Sequence, residues 1–228
     1  MKQLQPTVKQ RVFLVLNYFL GHSLIYQLLS LLIMKMLLPV LGPVDEYFLN
    51  MFINVLSSLI TIVGIYLILR PQLGSFLKRP VDFKLVVKTL IYMFITLIVL
   101  GVLTSYLFEA PQADNQVMVE ALFNKYQIPM MLVISVGAPI IEEFTFRMAM
   151  IDFNNPRTTL WISSFLFGFI HILSIFQTRD LAQLVHLPIY MSLGYWMGLS
   201  YIKDKGILTP ILVHAMYNGF QGFLMMLV

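Results

Sequence analysis

The feature that most limits what this chain can fold into is a series of seven apolar runs, each close to the length of about 20 residues that a helix needs to cross a bilayer. They extend from about Val12 to Leu38, Tyr47 to Leu69, Leu85 to Phe108, Ile128 to Ile151, Thr158 to Phe176, Leu181 to Ile202, and Leu208 to the C-terminus. Of the 228 residues, 59% are hydrophobic and 11% charged, against about 25% charged in a soluble domain. The expected fold is therefore all-α: a polytopic transmembrane helix bundle of about seven spans. Residues 1–228 read as a single integral membrane domain, with no separate soluble domain, internal repeat or low-complexity tract. There is no cysteine, which removes disulfides, thiolate metal sites and a cysteine nucleophile together. The first run follows Lys2, Lys9 and Arg11 without a small-residue cleavage site, and reads as a retained signal anchor.

The net charge of +4 reports topology here, not a nucleic-acid partner. With a cytoplasmic N-terminus, eleven basic residues fall inside: Lys2, Lys9, Arg11, Arg70, Lys78, Arg79, Lys84, Lys88, Arg157, Lys203 and Lys205. Three fall outside: Lys35, Lys125 and Arg179. The bias predicts a multi-pass protein of the bacterial cytoplasmic membrane with its C-terminus outside. The run around Arg70 to Phe83 reads as a basic surface loop touching anionic lipid. Among the prolines, Pro210 falls near the start of the seventh helix, where a missing N–H is harmless. Pro188 and Pro139 fall inside spans and predict kinks.

One span carries charges that a bilayer disfavours. The stretch "APIIEEFTFRMAM", Ala138 to Met150, holds Glu142, Glu143 and Arg147. Each charge at the bilayer centre costs roughly 2.5–3.5 kcal/mol on insertion scales, so the group must be paired, hydrated or useful. Glu143 and Arg147 are four apart and share a helix face. Glu142 is turned from Glu143 by about 100°, free to face a cavity. Two further spans carry polar residues at the same interval: Phe167 and His171, then His214 and Asn218. Taking about 1.5 Å per residue, Glu142 and Asn218 come out at similar depth, with His214 shallower and His171 deeper, a spread of about 10 Å. Tilt and side-chain length can close that spread. A carboxylate that takes a proton from water, imidazoles that share in holding that water, and an amide or imidazole N–H for an oxyanion together suit hydrolysis. Glu142, His171 and His214 also make a two-histidine, one-carboxylate zinc set with an open position.

These pieces resemble the motifs of the CAAX-protease and bacteriocin-processing (CPBP, or Abi) family of intramembrane proteases, in its bacterial branch. That family's pattern is EExxxR, then FxxxH, then HxxxN or HxxxD. This chain has Glu142-Glu143-x-x-x-Arg147, Phe167-x-x-x-His171 and His214-x-x-x-Asn218, so the motif-bearing core is about 128–228. The resemblance implies a membrane-embedded endopeptidase acting on a membrane-associated peptide or protein, in peptide maturation, bacteriocin immunity or signalling. It implies that Glu142 and His171 activate water, that His214 and Asn218 bind the oxyanion, and that Glu143, Arg147 and Phe167 support the site. It leaves open whether the cofactor is one divalent metal, zinc, or none.

Each residue alone has a plainer reading. Glu143–Arg147 could be a structural ion pair, either histidine an interhelical hydrogen-bonder, and Asn218 a bridge between helices. The ordered set at matching depth favours a site. His22 and His186 have no partner motif and read as structural. The alternative functions are a non-proteolytic membrane regulator that binds a partner such as a sensor kinase, and a proton- or ion-coupled transporter. The repeat symmetry common in transporters is not visible. The oligomeric state is not legible.

Overall fold

The structure, a computed structural model, describes residues 5–37, 40, 42, 44–108 and 112–227. Among these there is no strand. Eight main helices follow in order: α1 Val8–Leu32, α2 Glu46–Leu69, α3 Phe83–Phe108, α4 Asp114–Lys125, α5 Gln127–Ala149, α6 Pro156–Ile170, α7 Leu187–Asp204 and α8 Leu208–Met226. Four of them, α1, α2, α3 and α5, are long and apolar enough to cross a membrane. The four that fall short of that combination are α4, α6, α7 and α8, of 12, 15, 18 and 19 residues. A 15-residue helix extends only about 22 Å, less than the hydrocarbon thickness of about 30 Å.

Several boundaries differ from the sequence reading, each for a local reason. The fifth run ends as a helix at Ile170, where His171 turns the chain, and Ile175–Thr178 forms a separate short helix. The sixth begins at Leu187, because Leu181–His186 is a tighter 3₁₀ turn. Pro188 therefore stands in the first turn of α7, where it pre-sets the backbone and breaks nothing; the expected kink inside that span is absent. The α4 helix was not expected. Asp114 in its first turn and Lys125 in its last complement the helix dipole. The predicted end of the first span near Pro39 lies outside the described residues, and so does the side chain of His22.

The α5 helix runs continuously through Pro139. Its backbone widens to π-helical turns over Val133–Gly137, returns to α over Ala138–Glu142, and widens again over Glu143–Ala149. Wide turns of this kind recur at functional sites. Against α5 packs the pair α6 and α7, which meet along glycines. A Cβ on Gly168 would lie 2.8 Å from the Met191 backbone nitrogen, and one on Gly194 would lie 3.1 Å from the Ser164 Cα. Small residues let helix backbones approach this closely.

The two ends of the bundle differ. At one end Arg11 reaches from α1 to the end of α5, donating from Nε to the Ala149 carbonyl (2.8 Å) and from Nη2 to the Ile151 carbonyl (2.6 Å). Asp82 N–H donates to Thr209 Oγ1 at the same end (3.1 Å), joining the starts of α3 and α8. At the other end Lys125 pairs with Asp45 (3.0 Å), and Gln183 Oε1 accepts from Asp114 N–H (3.0 Å). The expected inner and outer loops are thus gathered at opposite ends.

Candidate active site

Between these ends a buried polar group interrupts the apolar core. Glu143, Arg147 and Ser163 are all fully buried. The π-helical turn still brings Arg147 over Glu143: Nε donates to Glu143 Oε2 (2.9 Å) and Nη2 to Oε1 (3.3 Å). Arg147 Nη1 also donates to Ser163 Oγ (3.3 Å), whose own hydrogen goes to the Phe146 carbonyl (2.6 Å). The guanidinium lies 4.7 Å from the centre of the Phe167 ring, a stacking that suits Arg better than Lys. Every unit of charge here therefore has a partner, which a buried ion pair requires if it is not to destabilise the fold.

Glu143 has a second task. Its Oε1 lies 2.9 Å from His214 Nδ1. An ionised carboxylate only accepts, so Nδ1 carries hydrogen and donates. The other ring nitrogen, Nε2, then faces Glu142 Oε2 at 3.9 Å. That gap is too long for a direct hydrogen bond, and Glu142 Oε2 is buried without a protein partner. Just past the end of α6, His171 donates from Nδ1 to the Phe167 carbonyl (2.7 Å) and stacks on Tyr190 with centroids 4.7 Å apart. Asn218 donates from Nδ2 to the Ile134 carbonyl (2.8 Å).

Glu142, Phe167, His171, Tyr190, His214 and Asn218 all line one cavity of about 220 Å³. It extends to Asn115, Gln116 and Met118 on α4, where Met118 is exposed. A buried carboxylate oxygen without a partner, beside an imidazole on the wall of one cavity, is an arrangement for holding and deprotonating a small molecule such as water.

Residues 124–220 match the model of the family described as Type II CAAX prenyl endopeptidase Rce1-like. The segment contains all three motifs. The part of the chain that carries the three motifs is thus similar to CAAX endopeptidases. The chain is also 32% identical over 98 residues to the Bacillus subtilis (strain 168) protein named "Putative membrane peptidase YdiL". That match covers 41% of this chain and 36% of the relative's length, so the chain spans about a third of the relative it matches. No solved structure matches.

The CPBP motif residues named from the sequence thus come together, and Phe167 is the ring about which they are arranged. The three tentative zinc ligands are a partial exception. Glu142 and His214 face one another, yet among the described residues no group of three His, Cys, Asp or Glu side chains closes to a spacing that could hold a metal ion. As they stand, Glu142, His171 and His214 do not form a three-ligand centre, and no step is derived through one. Four contributors escaped the sequence reading. Ser163 precedes Phe167 by four residues, the interval that puts Phe167 on the face of His171, so periodicity could have found it. Tyr190, the Ile134 carbonyl and Arg11 carry no such signal, because each acts through a tertiary contact.

Proposed function

We propose that the chain is an intramembrane endopeptidase that hydrolyses a peptide bond in a membrane-associated peptide or protein. The observation that carries this reading is the uncommitted Glu142 Oε2, set 3.9 Å from His214 Nε2 in the cavity that His171 and Asn218 also line. Water held there donates one hydrogen to Glu142 and the other to His171 Nε2, which the Phe167 carbonyl has oriented as an acceptor. Glu142 takes the proton as the water oxygen bonds to the carbonyl carbon. The carbonyl π pair moves onto oxygen, and the remaining Asn218 N–H donates to it. His214 joins as a donor when both its ring nitrogens carry hydrogen, each then facing a carboxylate. Glu142 passes its proton to the amide nitrogen as the C–N bond breaks. One water is consumed, and the carboxyl and amine products carry all its atoms.

Glu143 and Arg147 touch no reacting atom in this scheme and are positioning residues. Glu143 fixes the His214 ring as outer-shell carboxylates fix a histidine's tautomer, and Arg147 fixes Glu143. Substrate would enter beside α4, on the outer side of a bacterial cytoplasmic membrane if the orientation expected from the charge bias holds. The test is a cleavage assay on candidate membrane peptides with wild type and Glu142→Gln protein. Cleavage by wild type alone supports the reading. Equal cleavage by both would remove Glu142 as the base. A wild-type protein that binds a membrane partner without cutting any peptide would favour the regulator.

A further inference from the structure

A second cavity lies away from the candidate active site, at the end that carries the basic loops. It encloses about 890 Å³ between the segment Ser75–Asp82 and the turn Asp204–Ile207. Lys78, Arg79 and Lys205 line it, with Asp82 and Asp204 as the acidic members. Asp82 Oδ1 accepts from Leu85 N–H (2.9 Å), capping α3, and Asp204 Oδ1 pairs with Arg79 Nε (3.3 Å). Two long helices, α3 and α8, also begin at this cavity, and helix N-termini carry partial positive charge. Cations and dipole ends therefore converge on one space.

The second observation concerns Asp204 itself. Its side chain is 6% exposed, and its Oδ2 has no hydrogen-bond partner. A buried acceptor left so costs free energy until a donor reaches it. Lys205 turns the chain in the left-handed region, with φ of 60°, and Gly206 follows. A Cβ on Gly206 would lie 2.7 Å from Asp204 Oδ2 and 2.9 Å from Arg79 Cδ. Glycine thus lets the Asp204 carboxylate and the Arg79 side chain pack directly against this turn. An anion alone would answer the lysines and not this oxygen.

We propose that this cavity binds a phosphate ester that also bears a hydroxyl: the phosphate is held by Lys78, Lys205 and the starts of α3 and α8, and the hydroxyl donates to Asp204 Oδ2. Glycerophosphate is the simplest chemistry of that kind. It occurs as a phospholipid headgroup and as a soluble ester. Met148 and Tyr201 form the apolar side of the cavity, and Met148 follows Arg147 directly, so an occupant touches the end of α5. The proposal does not depend on the chain being a protease.

The test is a titration of the purified full chain in neutral detergent, followed by calorimetry. The probes are short-chain phosphatidylglycerol, phosphatidylmethanol (the same charge without the hydroxyl) and glycerol 3-phosphate. Saturable binding of phosphatidylglycerol is expected. The variant Lys78→Gln/Lys205→Gln should bind roughly 25-fold more weakly, about fivefold per lysine. Both lysines are exposed, so folding should survive, and Lys78→Arg/Lys205→Arg should restore binding. Phosphatidylmethanol should bind about tenfold more weakly than phosphatidylglycerol, since a hydrogen bond to a charged group is lost. Glycerol 3-phosphate that matches the lipid would identify a soluble ligand; binding of the lipid alone would identify a headgroup. No binding by wild type, undiminished binding by the Gln variant, or equal binding of phosphatidylmethanol would each overturn the proposal.

Discussion

The side chain of Asn218 donates to the backbone carbonyl of Ile134 across 2.8 Å, and Pro139 is the reason that carbonyl is available. In the wide turn the Ala138 N–H bonds to the Val133 carbonyl. The next nitrogen, on Pro139, has no hydrogen to give to Ile134. A buried carbonyl inside a membrane protein needs a donor, and a neighbouring helix supplies it. Asn218 is therefore both a bridge between helices and a wall of the cavity.

That double role can be taken apart. Asn218→Ala should destabilise the protein by about 1–3 kcal/mol, because it strands the Ile134 carbonyl. In a Pro139→Ala background the new N–H can serve that carbonyl, so the stability cost should shrink while the loss of cleavage remains. Thermal unfolding and turnover measured on the four proteins of this cycle decide it. Full cleavage in Pro139→Ala/Asn218→Ala would show that Asn218 acts only through structure.

Glu142→Gln should fold normally and lose cleavage by about 10²–10⁴-fold, the usual scale for a general base. Arg147→Ala should differ in kind. It leaves Glu143 buried without its counter-charge, which typically costs about 3–5 kcal/mol, so protein yield and melting temperature should fall first. Comparison of yield in membranes with activity per folded molecule separates the two. Normal yield for Arg147→Ala would argue that Glu143 finds another partner.

Arg11 should prove essential to the site although it lies outside the residues matched by the family. It holds the last carbonyl of α5, at Ala149, and that of Ile151 just beyond it. Arg11→Ala is expected to lower stability by roughly 1–3 kcal/mol, and Arg11→Lys, lacking the planar fork, should recover only part of it. Denaturation in detergent reads this directly. A melting temperature unchanged in Arg11→Ala would mean that α5 ends without this support.

The absence of native cysteine makes sidedness simple to measure. Single variants Met118→Cys and Lys78→Cys should be labelled by a membrane-impermeant maleimide from opposite sides, Met118→Cys from outside intact spheroplasts and Lys78→Cys only after lysis. The reverse pattern would invert the orientation and place the cavity mouth on the cytoplasmic side.

Cleavage should persist after thorough chelation, because the described donors do not close around a metal ion and Glu142 can act on unligated water. Elemental analysis of the active protein provides the check. Activity that vanishes on chelation and returns with zinc would show that substrate draws Glu142, His171 and His214 together into a metal centre.

The sequence was informative where function depends on local spacing. Glu143 and Arg147, Phe167 and His171, and His214 and Asn218 share faces because each pair is four apart. The length of each apolar run likewise announced a helix. It was uninformative where one helix serves another. Nothing local says that Arg11 clamps α5, that Tyr190 supports His171, or that the Ile134 carbonyl waits for Asn218. Span ends also misled, because Leu181–His186 is as apolar as a helix while its backbone winds more tightly. Pro188 was read as a kink for the same reason: its role depends on where the helix starts, which hydropathy alone does not mark.

The wide turns over Glu143–Ala149 have one more consequence. A backbone that closes its rings over five residues holds one residue more per ring than the ordinary ladder. The angular offset between Glu142 and the Arg11-bound end of α5 is thus set by how many residues lie between them. Deleting any one residue from Phe144 to Met148 would let the segment tighten and rotate Glu142 relative to that anchor. Point substitutions in this stretch change chemistry at one position, whereas a change in length would throw the whole catalytic face out of phase.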